Sequence, residues 1–218
     1  MGLLANLKLR RKLLIAMAPL ALMAIFAGLY SSIQSKRIDT WYSQLIENEV
    51  KAVHHIDQAR ALNRRFSLYL YRLIVETDPD RRQVIDRQLD TTYSEYKVQI
   101  ADAIRLAPVR TAQIIVAATD FDKAVLDSRS VRAAVLANDK ETAASFMRSR
   151  VDPELQLTHE QIIKIADELQ KAVDQRSDEL TAKTHRSILV TWLVIALGLL
   201  VTFIVVSYVL LVDVVREL

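Results

Sequence analysis

Hydrophobic and polar positions divide the chain into two apolar stretches and one long polar segment between them. No charged residue occurs from Leu13 to Ser35 or from Ser187 to Val212, whereas the segment between them is dense in Arg, Lys, Asp, Glu and Gln. A helix needs roughly 20 apolar residues to cross about 30 Å of hydrocarbon. We therefore predict transmembrane helices at 13–35 and 187–212, on either side of a water-exposed domain at 36–186.

The first apolar stretch has an alternative interpretation as a cleaved signal peptide. It follows four basic residues within positions 8–12 and contains small residues, as signal peptides do. Its apolar run is longer than the usual signal-peptide core, and the helical pattern continues through residues 31–34, which favours a retained anchor. The basic flank places residues 1–12 in the cytoplasm by the positive-inside rule.

Two crossings then place the polar domain outside the cell membrane, in the periplasm of a Gram-negative bacterium. The chain returns to the cytoplasm at residues 213–218, a tail too short to have an output of its own. We therefore expect the natural protein to continue beyond Leu218.

Apolar residues in the polar segment recur at helical spacing. The first helix carries one stripe in steps of three and four, which consists of Ile38, Trp41, Leu45, Ala52, Ala59, Leu62, Phe66, Tyr69 and Leu73, with Asn48 and His55 on the same stripe. A second stripe beside it consists of Ile46, Val50, Val53 and Ile56. A helix with one buried face shows one stripe. Two adjacent stripes predict burial on two sides, one inside the subunit and one against a partner chain.

Proline marks two helix boundaries in this segment. Asp78 followed by Pro79 is typical of an N-cap with proline at the first helical position. Pro108 predicts the end of the next helix, because the residue before proline avoids the helical region.

Two later sites supply the remaining boundaries. Asn138 with Glu141 three residues later resembles a capping box. The Asp152-Pro153 pair indicates either a kink or a second N-cap. Four helices with short connections predict an all-α fold, an antiparallel four-helix bundle whose first and last helices are continuous with the two transmembrane helices.

Composition excludes several classes of function. The net charge of +3 is small and mixed in sign, which gives no support to nucleic acid as a partner. The absence of cysteine excludes disulfides and thiolate chemistry. None of the three glycines lies in the polar segment, so a phosphate-binding loop is not expected. We predict no catalytic residues, no enzyme activity and no cofactor.

Histidines give no metal-site pattern. His54 and His55 are adjacent on a helix and point about 100° apart, so they do not converge on one ion. His159-Glu160 lacks the second histidine of a zinc-protease motif, because position 163 is Ile. No metal site is predicted.

Several short patterns occur in a characteristic order. They are the start Asn6 to Leu13, the Asp78-Pro79 turn, and the Ala137-Asn138-Asp139 turn with two alanines after it at 143 and 144. In this order they resemble the four-helix-bundle sensor module of methyl-accepting chemotaxis proteins. The resemblance implies a homodimer in the bacterial cytoplasmic (inner) membrane that binds small ligands across its interface and acts on downstream cytoplasmic signalling proteins.

The resemblance also implies a HAMP relay domain after the second span. That domain usually opens with a basic residue, proline and leucine, and Arg216-Glu217-Leu218 has glutamate in place of the proline. The same module precedes histidine kinases and nucleotide cyclases, so either output remains an alternative. A membrane protein that binds a partner protein without a small ligand is a third possibility.

Arginines on the first helix are the candidate ligand-binding residues. Their planar guanidinium groups suit bidentate carboxylate recognition, and the resemblance implies such a role for first-helix arginines and a last-helix residue. Counting from the two turns puts Arg65 level with about Val151, which brings Arg150, Leu155 and Thr158 close. The prediction is a small anionic ligand, such as an amino or organic acid, at Arg60, Arg64, Arg65, Tyr69, Arg72, Arg150 and Thr158.

The alternative for these arginines is that they are solvated or paired with acidic residues on adjacent helices. The tyrosines Tyr69, Tyr71, Tyr93 and Tyr96 are expected to fill the core and the interface.

Overall fold

A computed structural model describes the backbone of residues 9–217 and the side chains of residues 17–18, 20–208 and 211. Over this range the backbone is helical apart from short turns, and it contains no strand. The α-helices are α1 (Leu9–Gln44), α2 (Lys51–Val75), α3 (Pro79–Leu106), α4 (Thr111–Leu136), α5 (Lys140–Phe146) and α6 (Asp152–Glu217).

Two π-helical segments join pairs of α-helices without a break. Leu45–Val50 connects α1 to α2, and Met147–Val151 connects α5 to α6. The second segment ends directly before the Asp152-Pro153 pair, for which the sequence predicts either a kink or a second N-cap. The backbone stays helical there, which excludes a new N-cap. Pro153 has no N–H to donate to the backbone hydrogen bonds of the helix. The wider π turn lies directly before it, where these hydrogen bonds are disturbed.

The chain divides into two compact units, and Gln44–Arg176 is the larger. This unit contains α2, α3, α4 and the run from α5 into α6, so the predicted all-α four-helix bundle is confirmed. Its centre is an aromatic cluster in which the Phe121 ring lies 5.3 Å from that of Phe66 and 4.0 Å from that of Tyr96. All three side chains are buried.

The first apolar stripe of α2 faces this core. Its buried members within the unit are Leu45, Ala52, Ala59, Leu62, Phe66 and Leu73. The second stripe is divided: Ile56 is fully buried, whereas Ile46 and Val50 are 53% and 41% exposed. A single chain therefore leaves part of the second stripe uncovered.

The two proline boundaries are where the sequence predicts them. Asp78 caps α3, its Oδ1 accepting a hydrogen bond of 2.9 Å from the Asp80 N–H, and Pro79 occupies the first helical position. The α3 helix ends at Leu106, two residues before Pro108.

The predicted cap at Asn138 is wrong by one residue. Asp139 is the N-cap of α5, with its Oδ1 accepting from the Thr142 N–H at 3.0 Å. Asn138 instead ends α4 in the left-handed conformation with φ 58°. There the Asn138 N–H donates to the Val135 carbonyl and the Asp139 N–H to the Ala134 carbonyl. These two hydrogen bonds close the C-terminus of α4. Asparagine adopts the left-handed conformation at this position more readily than most residues that have a Cβ.

The smaller unit consists of residues 9–43 and 177–217. Within it α1 and the C-terminal part of α6 run antiparallel. The Tyr42 hydroxyl lies 3.3 Å from the Thr181 hydroxyl, and the Lys183 ammonium lies 4.9 Å from the centre of the Trp41 ring. Further along, Gly198 lies directly against Met23.

One helical stretch in the described part of the chain, Lys140–Tyr208, is long and apolar enough to cross a membrane. Its most apolar window has a mean hydropathy of 2.8 and is only 6% buried, unlike the core helix of a soluble protein. The predicted span at 187–212 overlaps this stretch. Of the predicted span at 13–35, residues 13–16 and Pro19 lie outside the described side chains, and this span stays a prediction. Residues 1–8 and Leu218 lie outside the described residues altogether.

Candidate functional site

A groove of about 480 Å³ lies between α2 and α6. Its volume is within the range of pockets that bind small molecules. The lining residues are Asn63, Arg64, Ser67, Asp152, Pro153, Leu155, Gln156 and His159. Most of them are polar, so the groove suits a ligand that forms several hydrogen bonds.

Asn63 ties the two walls of the groove together. Its side chain is only 2% exposed, and its Nδ2 donates a 3.1 Å hydrogen bond to the backbone carbonyl of Leu155 on α6. A buried amide of this kind fixes the spacing of the two helices, because leaving it unpaired would be costly.

One side of the groove is positively charged. The Nη2 of Arg64 lies 3.1 Å from the Nε2 of His159. Burial lowers the pKa of His159, and the charges of Arg64 and Arg60 lower it further. The imidazole is therefore neutral at neutral pH. A guanidinium only donates, so Nε2 of His159 is the acceptor and the ring proton sits on Nδ1.

The groove also carries a carboxylate. The Tyr71 hydroxyl donates a hydrogen bond to Oδ2 of Asp152, and this bond is the main reason why the pKa of Tyr71 is raised to about 12. Burial and the Asp152 charge raise it further, and Arg148 opposes them. Tyr71 therefore stays a hydrogen-bond donor that orients Asp152. Tyr71 is therefore not the core or interface filler that its sequence predicts, and Asp152 was not among the predicted site residues.

Of the predicted arginines, Arg64 is the one that lines this groove. Arg60 lies near enough to influence His159, although its nearest acidic partner is Asp57 at 3.6 Å. Arg65 lies elsewhere, with its guanidinium 3.5 Å from Glu95 on α3. Adjacent helical residues point about 100° apart, so Arg64 and Arg65 lie on different faces of α2.

The other four predicted residues are not brought together with Arg64. The Arg72 guanidinium lies 6.0 Å from the ring of Tyr69, which packs against the core. The Arg150 guanidinium stacks on Phe146 at 5.2 Å. Thr158 is fully buried. Arg72 and Arg150 are both exposed in these positions.

The predicted level of Arg65 also differs from the structure. The sequence count put it beside Val151, whereas Asn63 meets Leu155 and Arg64 meets His159. A level counted from the sequence holds only if the turns at Asp78 and Asn138 lie at one height and the helices between them are uniform. The π segment Met147–Val151 breaks that uniformity.

A second cavity, of about 320 Å³, lies by the two turns. Arg132 borders it and forms ion pairs of 2.5 Å with Asp86 and 2.8 Å with Asp90, which raise the pKa of the guanidinium. Arg82 borders it too and donates to Asn138 Oδ1 at 2.7 Å. These arginines connect α3 to the end of α4, so their main role is structural.

Within the described residues, no group of three His, Asp or Glu side chains is arranged to bind a metal ion. The rings of His54 and His55 are 5.8 Å apart, and His55 Nδ1 lies 2.7 Å from the Gln99 amide oxygen.

Residues 6–185 match the family model of a four helix bundle sensory module for signal transduction. The match covers most of the chain, including every residue of the groove. Comparisons with the curated proteins and with the solved structures found no match.

Proposed function

Because the chain belongs to the family of four-helix-bundle sensory modules for signal transduction, we propose that it is the sensor part of a transmembrane chemoreceptor. The bundle detects a small molecule outside the cell, and helix displacement carries the signal to a cytoplasmic HAMP domain and a kinase-control region. The groove between α2 and α6 carries the proposal, since it joins polar groups of two helices that are each continuous with an apolar stretch. α2 follows α1 without a break, and α6 itself contains the second apolar stretch.

The membrane location is supported by the exposed apolar surface of α6. Trp192, Leu193 and Phe203 are each at least 60% exposed, which is stable in lipid and unfavourable in water. With the first span at 13–35 and its basic flank, the chain crosses the inner membrane twice. Both termini are then cytoplasmic and the bundle is periplasmic.

The ligand class follows from the two charged groups of the groove. Arg64 offers a guanidinium to a carboxylate, and Asp152 offers a carboxylate to an ammonium group. An amino acid carries both a carboxylate and an ammonium group. A dicarboxylic acid would meet repulsion at Asp152, so we place amino acids before other organic acids.

Transmission follows from the continuity of α6, which is one helix from Asp152 to Glu217. Asp152 and His159 occupy its first turns, and the π segment Met147–Val151 directly precedes them. A ligand that pulls Asp152 and Arg64 together favours one position of α6 relative to α2. A stiff helix transfers that displacement along its length.

A homodimer is supported by the uncovered part of the second stripe. Ile46 and Val50 expose apolar side chains on the first helix of the bundle, on the side where the two-stripe pattern predicts a partner chain. If these side chains packed against a second copy of the chain, their apolar surface would be removed from water.

The test is a thermal-shift titration of the chain in detergent with the common amino acids and organic acids. A ligand that binds only the folded state raises the melting temperature. Arg64→Ala is expected to abolish the shift. Its neighbour variant Arg65→Ala, which removes the same charge from the face toward α3, is expected to keep it.

Two results contradict the proposal. A shift that survives Arg64→Ala but is lost in Arg65→Ala moves the ligand site away from the groove. A melting temperature unchanged by every compound favours a membrane protein that binds a protein partner.

A further inference from the structure

We propose that anionic phospholipid headgroups bind a ring of four basic residues at the junction between the apolar stretches and the polar domain. The four, here called the basic collar, are Lys36, Arg37, Lys183 and Arg186, and all are exposed. The proposal rests on the membrane location proposed above and concerns a different site from the ligand groove.

The antiparallel contacts of the smaller unit bring the four residues to one level. Tyr42 meets Thr181 and Trp41 meets Lys183, so residues of α1 and α6 whose numbers sum to about 223 lie at the same level. The contact of Met23 with Gly198 keeps nearly the same register much further along. By this register Arg37 lies level with Arg186.

Lys36 lies level with the residue after Arg186, and Lys183 lies one turn away. The collar therefore concentrates four positive charges within about one helical turn of each of two packed helices.

No carboxylate of the described chain lies within 4.0 Å of a charged nitrogen of the collar. Asp39 is the nearest acidic residue on α1, one turn from Lys36, and it forms no ion pair within that limit. Lys183 rests on the Trp41 ring instead. Like charges at one level repel each other, and an external anion relieves that repulsion.

The neighbouring surface identifies the anion as part of a lipid. Directly beyond the collar, Ile33, Ile188 and Leu189 are each more than half exposed. Basic side chains at the end of a lipid-facing helix extend to the headgroup level while their aliphatic parts stay in contact with the chains. The four charges then face phosphate groups.

The experiment measures lipid preference with the full chain in bilayers. The chain is reconstituted in phosphatidylcholine vesicles with spin-labelled phosphatidylglycerol or spin-labelled phosphatidylcholine, and the fraction of motionally restricted lipid gives the relative association constant. Basic residues attract anionic headgroups. Arg37→Gln with Arg186→Gln removes two of the four charges and is expected to lower the preference for phosphatidylglycerol severalfold.

A matched control removes two exposed charges from the bundle, Arg129→Gln with Lys171→Gln, and is expected to leave the preference unchanged. Inorganic phosphate at millimolar concentration is expected to leave it unchanged too. Loss of the preference in phosphate would identify free phosphate as the ligand and overturn the lipid proposal.

Alkaline extraction of the same vesicles separates the two proposals. A chain that stays in the bilayer but shows equal affinity for both lipids overturns the basic collar and leaves the proposed function intact. A chain that is extracted from the vesicles overturns the membrane location, and the collar with it.

Discussion

The guanidinium of Arg64 on α2 lies 3.1 Å from Nε2 of His159 on α6. Because arginine has no acceptor, this distance assigns the ring proton of neutral His159 to Nδ1. That atom is buried and has no hydrogen-bond partner among the described residues. Protonation of His159 would remove the acceptor and place a second cation beside Arg64.

The first prediction concerns the pH dependence of stability. Burial, Arg64 and Arg60 lower the pKa of His159 in the folded chain below its unfolded value of 6.5. As the pH falls below about 6.5, the unfolded chain takes up a proton that the folded chain does not. The contribution of His159 to stability is present above that pH and is lost as the pH falls toward the folded-state pKa.

The measurement is the melting temperature of the chain in detergent between pH 8 and pH 5. His159→Gln is expected to lose less stability over this range than the unmodified chain. Leu126→Ala changes an exposed residue that does not titrate and is expected to lose as much as the unmodified chain. Equal pH profiles for His159→Gln and the unmodified chain would contradict the assigned cause.

The second prediction concerns the aromatic centre of the bundle. Phe121 is fully buried between Phe66 and Tyr96. Replacement of a buried phenylalanine by alanine leaves a cavity and costs about 3–5 kcal/mol. Phe121→Ala is therefore expected to lower the free energy of unfolding by that amount, measured by guanidinium titration.

The control for Phe121 is Leu126→Ala, five residues further along α4, whose side chain is 55% exposed. Its cost is expected to stay within about 0.5 kcal/mol. Similar losses for the two variants would mean that α4 turns another face toward the core.

The bundle was predictable because its information is local. Apolar spacing identifies the helices, and Asp78-Pro79 marks a boundary by chemistry that needs no tertiary contact. The turn at residues 137–139 shows the limit of such local rules. Asparagine and aspartate are both good N-caps, and only the demand of α4 for a left-handed residue decides that Asn138 ends one helix and Asp139 begins the next.

The groove was only partly predictable because it depends on how α2 and α6 are rotated. The sequence indicates arginine as the residue type of the site. It does not indicate which arginine, because one step along a helix turns the direction of a side chain by about 100°. That step separates Arg64 in the groove from Arg65 beside Glu95. The partnership of Tyr71 with Asp152 joins residues 81 positions apart and leaves no local pattern.

The third prediction uses the left-handed residue at the end of α4. A side chain with a Cβ costs about 1 kcal/mol in this conformation, whereas glycine has no such cost. Asn138→Ala and Asn138→Gly both remove the oxygen that accepts from Arg82 at 2.7 Å. Asn138→Ala is therefore expected to unfold about 1 kcal/mol more readily than Asn138→Gly, by guanidinium titration.

At the neighbouring position 137, alanine is expected to be more stable than glycine, the reverse of the order at position 138. Ala137 has φ −77°, so Ala137→Gly gains nothing sterically and is expected to destabilise by about 0.5–1 kcal/mol through chain entropy. Equal stability of the two variants at position 138 would show that the residue does not hold the left-handed conformation in solution.

The fourth prediction tests the packing of α1 against α6 with two glycines. A Cβ added at Gly198 would lie 2.9 Å from the Cβ of Met23, closer than side chains approach, whereas one added at Gly28 would meet nothing within 4 Å. Small residues let apolar helices approach closely in a membrane. Gly198→Ala is expected to separate the helices and lower the melting temperature in detergent, whereas Gly28→Ala is expected to leave it unchanged or raise it slightly through helix propensity.

A compensating change makes this prediction sharper. The clash involves the Cβ of Met23, which any residue except glycine retains, so Met23→Ala is expected to relieve only the part due to Cγ at 3.2 Å. Met23→Gly removes both atoms and is expected to restore more of the melting temperature lost in Gly198→Ala. If Gly198→Ala melts at the same temperature as Gly28→Ala, the two helices do not pack through these residues, and the register that aligns Arg37 with Arg186 loses one of its three contacts.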